Sequence, residues 1–210
     1  MKRILVVLGA LSLLAGCLGN GPEKPLREMA SALTKKDSAL FLAQMDTRRF
    51  AAAQINNLTQ GDTALRALDS VGKMLGLGGM DELLGSVMNM QMRQEEQFTR
   101  GVSTGELVLE CRKAVTPDCP WTPEALQNAK VRELGPDAAV ARVTTPANIS
   151  SWLALSKVGE RWLVVGQAPL EGQAVRYAQG KDASGVPAPS PESAPQPAPG
   201  KEKPQESVKL

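Results

Sequence analysis

From Ala129 to Gln167 the chain has no connection long enough to carry it across a sheet. Four strand-like runs, Ala129 to Leu134, Ala138 to Thr145, Ser150 to Val158 and Arg161 to Gln167, are punctuated only by Pro136-Asp137, Pro146-Ala147-Asn148 and Gly159-Glu160. Parallel neighbours need a crossover of about a dozen residues or more, so short connections favour an antiparallel meander. Side chains alternate along a strand. Trp152, Ala154 and Val158 therefore share one face and Leu153 and Leu155 the other, while Trp162 and Val164 oppose Leu163 and Val165. Both faces carry large apolar groups, whereas a sheet covered on one side only would have a polar second face. A helix, a partner subunit or a ligand must meet that second face, and burial inside the same domain is the simplest answer.

Upstream the period changes to that of helices. Leu26, Met29, Ala30 and Leu33 fall at i, i+3, i+4 and i+7, an amphipathic stripe closed by Lys35-Lys36. Asp37 or Ser38 can cap a second helix reaching about Met45, and Asp46 a third running toward Leu58. Asp62 can cap a further helix through Leu65, Leu68, Val71 and Leu75, which Gly76, Gly78 and Gly79 stop. From Asp81, the positions Leu84, Val87, Met88, Gln91 and Met92 continue at helical spacing toward Phe98. The mainly polar segment Arg93 to Arg100 suggests that this helix leaves the core near its end. Glu106 to Arg112, with Leu107-Val108-Leu109, reads as a strand, and Thr122-Pro123 as the cap and first position of a short helix over Glu124 to Asn128. The expected fold class is α+β: N-terminal helices packed on a C-terminal antiparallel β-meander.

The two ends have different compositions. Lys2 and Arg3, an apolar run from Ile4 to Leu14, and Leu14-Ala15-Gly16-Cys17 form an export signal ending in a thiol. The apolar run is about half the roughly 20 residues that span a bilayer. The Leu-Ala-Gly-Cys site resembles the bacterial lipobox. That resemblance implies a diacylglyceryl group on the Cys17 sulfur, cleavage before it and acylation of the new amino terminus. Leu18 in place of an aspartate implies the periplasmic face of the outer membrane in a Gram-negative host. At the other end, seven of the fifteen prolines lie between Pro187 and Pro204 with no apolar period, the composition of a disordered segment with polyproline character. The layout is a signal peptide over 1–16, a lipidated tether over 17–25, one α+β domain over 26–178 and a Pro-rich tail over 179–210. The body is of the size that buries one core.

Removing residues 1–16 takes Lys2 and Arg3 from the 24 basic residues and leaves 22 against 22 acidic ones. A neutral chain with scarce aromatics offers neither the charge nor the stacking surfaces that nucleic acid needs. With Cys17 lipidated, Cys111 and Cys119 remain as a pair in an oxidising compartment, and Pro117-Asp118 can bend the chain to bring them together as a disulfide. Two thiolates alone make a poor zinc site, and the spacing is not that of a redox Cys-x-x-Cys.

There is no histidine, which removes the usual general base, triad partner and metal ligand together. The adjacent acids Asp81-Glu82 and Glu95-Glu96 diverge by about 100 degrees on a helix, so neither pair converges. Met88, Met90 and Met92 have the soft sulfur that suits copper(I). On a helix, however, Met90 points away from the other two, and core filling is the expected role. No cofactor and no metal are expected. Gly76-Leu77-Gly78-Gly79 lies between helices and does not fit a dinucleotide site.

The short turn Lys35-Lys36-Asp37-Ser38 between helices, followed by a meander that ends in Ser151 to Val158, Gly159-Glu160 and Arg161 to Val165, resembles the cystatin-like cone of nuclear transport factor-like domains. That resemblance implies helices packed on a curved sheet, in a family that includes enzymes, ligand binders and interaction modules. The function expected is a non-enzymatic, membrane-anchored periplasmic lipoprotein that binds an envelope protein partner or a small apolar ligand. The alternatives are a carboxylate-dependent enzyme in a cone pocket and a structural envelope lipoprotein acting through its Pro-rich tail.

Overall fold

A computed structural model describes residues 20–61 and 80–181, and the side chains of 58–61 and 80–86 lie outside that description. So do the signal segment with Cys17, the helix read from Asp62 to Leu75 with its glycine stop, and the Pro-rich segment from 182 onward.

Pro25 sits in the first turn of α1 (Lys24–Lys35), where its missing N–H costs nothing. The stripe read from the sequence, Leu26, Met29, Ala30 and Leu33, is buried. Lys36 closes α1 in the left-handed region at φ 57°, its N–H donating to Ala32 O. Asp37 then caps α2 (Ser38–Leu42), its Oδ1 accepting from Leu40 N at 2.9 Å.

α2 stops at Leu42, before the Met45 expected, because the next residues are committed elsewhere. Val164 N donates to Gln44 O and Asp46 N donates to Val164 O, each at 2.9 Å, so residues 44–46 lie along the outer edge of the sheet. An open strand edge leaves backbone groups unpaired, and this bridge covers part of it. Asp46 caps α3 (Thr47–Gly61) through Arg49 N at 3.0 Å.

α4 (Met80–Thr104) corrects the expectation that its polar end leaves the core. Phe98 and Val102, four residues apart, point inward, and Val102 is 1% exposed. The Phe98 ring lies 5.3 Å from Phe41, 5.5 Å from Trp121 and 6.0 Å from Phe50. Arg93, Glu96 and Arg100 of that segment face solvent and Glu95 is half-buried, so average polarity concealed an inward pair at the right spacing. Met88 and Met92 instead are 59% and 58% exposed, which corrects the core-filling role expected of them.

Gly105, at φ 84°, reverses the chain into α5 (Glu106–Lys113), where a strand had been expected. A short apolar run cannot by itself distinguish strand from helix. As a helix, Leu107-Val108-Leu109 must place one member outward, and Leu109 is 56% exposed while Cys111 is fully buried. α6 (Pro123–Gln127) begins as expected, with Thr122 Oγ1 accepting from Ala125 N at 3.3 Å.

The four strands β1 (Lys130–Glu133), β2 (Ala138–Thr144), β3 (Ser150–Val158) and β4 (Arg161–Ala168) pair antiparallel in sequence order. The β3–β4 register passes from Ala154 opposite Gly166 to Leu155 opposite Val164, leaving Val165 as the extra residue of a bulge. One face, with Ala141, Leu153, Leu155 and Val164, packs on the core built from α1, α2, α4 and α6. The other, with Val140, Ala154, Val165 and Ala168, is met by Ala174, Tyr177 and Ala178 of α7 (Glu171–Ala178) and by Ala53 of α3. Helices of the same chain thus cover both faces, as the two-sided apolar pattern required. α7 itself was not read from the sequence: it has no side-chain cap, is eight residues long and contains Gly172.

Candidate functional site

Cys111 and Cys119 form a disulfide with their Cα atoms 4.8 Å apart. The link fastens α5 to the chain just before Trp121, which is 3% exposed and packs edge-on to Phe41 at 5.8 Å. α5 and α6 are therefore held at a fixed separation, bridged further by Arg112 Nη2 and Glu124 Oε1 at 2.9 Å. That pair is about half exposed and contributes little to stability. Its consequence is positional, since both side chains line a groove.

The groove, about 350 Å³ in volume, lies between the last turn of α1, the α4–α5 junction and the start of α6. Leu33, Val108, Leu109 and Pro123 give it apolar walls, and Lys36, Arg112 and Glu124 rim it with charge. Lys36 Nζ donates to Thr104 O at 3.1 Å, tying the end of α1 to the end of α4. Leu33 belongs to the main core and Val108 packs against it. The wall formed by α5 is tied down by the disulfide, and Leu109, 56% exposed, faces outward. The two ionisable groups of the rim that could act on a proton are each engaged, Lys36 with Thr104 O and Glu124 with Arg112.

A polar network occupies the opposite layer. Arg49 Nη2 donates to Tyr177 O at 3.1 Å, Tyr177 Oη donates to Asn57 Oδ1 at 2.8 Å, and Asn57 Nδ2 donates to Gln167 O at 2.7 Å. Burial pushes the Tyr177 phenol up to about 12, opposed by the nearby Arg176. Burial also lowers the Arg49 guanidinium, opposed by Asp46. These bonds fasten α7 to α3 and β4, which is a structural task.

Cys111 and Cys119 are joined to each other, and neither offers a thiolate. Glu95 Oε1 accepts from Thr47 Oγ1 at 2.6 Å and from Gln91 Nε2 at 2.9 Å, while Glu96 faces solvent, so the two carboxylates diverge. Met88 and Met92 share one exposed side of α4 and Met90 is half-buried. Among the described residues no three His, Cys, Asp or Glu side chains gather as a metal site. Nor is any helix there long and apolar enough to cross a membrane. The groove was missed by sequence reasoning because three separate segments build it; the cysteine pair was the one local sign that residues 111 and 119 meet. No protein-family model, curated protein or solved structure matches this chain.

Proposed function

We propose that this chain is a non-enzymatic lipoprotein of the bacterial envelope, held by lipid on Cys17 at the periplasmic face of the outer membrane, and that it binds a segment of a protein partner in the α1–α5–α6 groove. The observation that carries the reading is Leu109, a large apolar side chain 56% exposed on a helix that a disulfide locks in place. A rigid wall with an apolar anchor and a charged rim suits a polypeptide, because little ordering entropy is lost on binding. Because α7 fills the second sheet face, the apolar surface that could have called for a small ligand is already occupied. Kinship with the cystatin-like cone belongs to this same proposal.

The test is native mass spectrometry of the chain extracted from its host membranes, beside Leu109→Glu. The expected result is a chain starting at Cys17 with a diacylglyceryl mass, in complex with a second protein that the variant loses. A monomer with a small apolar adduct would overturn the protein-partner reading. A chain that still begins at Met1 would overturn the anchor.

A further inference from the structure

The described chain opens at Asn20, three residues after Cys17, and an extended segment of that length spans about 11 Å at most. Pro22 is already buried against the body and α1 starts at Lys24, so little slack follows. Asn20, Gly21 and Lys24 share a crevice of about 50 Å³ with Glu160, Arg161 and Trp162 at the β3–β4 turn. Arg161 Nη2 donates to Ala43 O at 2.7 Å, which fixes the hairpin against the end of α2. Tether and hairpin tip therefore occupy one end of the molecule.

We propose that this tip, Val158 to Trp162, is the surface that lies on the bilayer carrying the lipid of Cys17. The inference rests on the lipid-anchor reading and specifies its geometry. A lipidated Cys17 sits at the headgroup layer, so a body starting within about 11 Å of it has its tether end against that layer. Val158 is 37% exposed and Trp162 half-buried, the amphipathic character suited to an interface. Lys24, Lys157 and Arg161 are offset by Glu23, Glu28 and Glu160, so charge attraction does not hold the tip down. The short tether does, through high effective concentration. α1, 12 residues and about 18 Å long, runs from this end to the groove. The partner site is thereby turned toward the aqueous space.

Fluorescence quenching tests the geometry. The lipidated chain is reconstituted in phosphatidylcholine vesicles containing a headgroup nitroxide lipid, and wild type is compared with Trp162→Phe and Trp152→Phe. Trp152 pairs with Ala168 at the other end of β3, about 17 Å along the strand from the Trp162 partner Lys157. Most of the quenching should be lost with Trp162→Phe, persist with Trp152→Phe, and return when Val158→Trp is added to Trp162→Phe. Quenching that survives Trp162→Phe, or that Val158→Trp fails to restore, would overturn the orientation while leaving the anchor intact. A chain that does not float with the vesicles and lacks the diacylglyceryl mass would overturn both.

Discussion

Replacing Cys111 and Cys119 together by alanine opens the loop that holds α5 against the Trp121 segment. The cysteines are 8 positions apart, and chain entropy for so short a loop gives about 2.5 kcal/mol at 25 °C. Cys111 is also fully buried in the main core, and deleting its sulfur adds about 1 kcal/mol for the small void. For a chain of this size each kcal/mol lowers Tm by about 2–4 °C, so the combined loss amounts to about 7–14 °C. The assay is thermal unfolding followed by circular dichroism on soluble chains that all carry Cys17→Ser, with and without the alanine pair. Reducing the parent protein should reproduce most of the drop and leave the alanine variant unmoved. A drop below about 2 °C would refute the reasoning that the disulfide clamps this end of the core.

Tyr177 holds its proton to about 12 in the fold against 10.0 ordinarily. Its stabilisation is therefore complete below pH 10 and is lost as pH rises from 10 through about 12. In urea titrations the gap between wild type and Tyr177→Phe should close across that window, and a constant gap would contradict the assignment. At Gly166 an added Cβ would lie 2.9 Å from Ala53 Cβ and 3.1 Å from Tyr177 Cδ2. Gly166→Ala should accordingly cost about 1–3 kcal/mol in the same titrations, whereas an unchanged midpoint would mean that α3 and α7 do not approach β4 this closely. Deleting residues 182–210 should leave both the melting temperature and the amount of co-purified partner unchanged, and loss of the partner would move the binding function to the Pro-rich tail.

The meander was legible because its signals are local. β3 spans Ser150–Val158 just as its alternation and flanking turns indicate, and Thr122 and Asp37 cap where their side-chain chemistry places them. The failures share one cause, which is that the deciding partner is distant in sequence. Residues 44–46 leave the helical state to pair with Val164, and Phe98 turns inward to meet Phe41, Phe50 and Trp121. Leu107-Val108-Leu109 could not be distinguished from a strand because sheet pairing excludes it only once the other four strands are in place. Alternation showed that Val165 and Ala154 needed cover, but nothing near them identifies Tyr177 as the residue that supplies it. The groove is less legible still, since its walls come from residues 33, 108 and 123 and no motif joins them.

The groove as a partner site is tested most directly by crosslinking in intact cells, with a photoreactive phenylalanine analogue at position 109 and, separately, at position 170. Leu170 is 63% exposed and lies outside the groove, so it matches Leu109 in access but not in place. A discrete crosslinked protein from position 109 and none from position 170 is the predicted result. Equal products from both positions, or none from position 109, would contradict a partner seated between α1, α5 and α6.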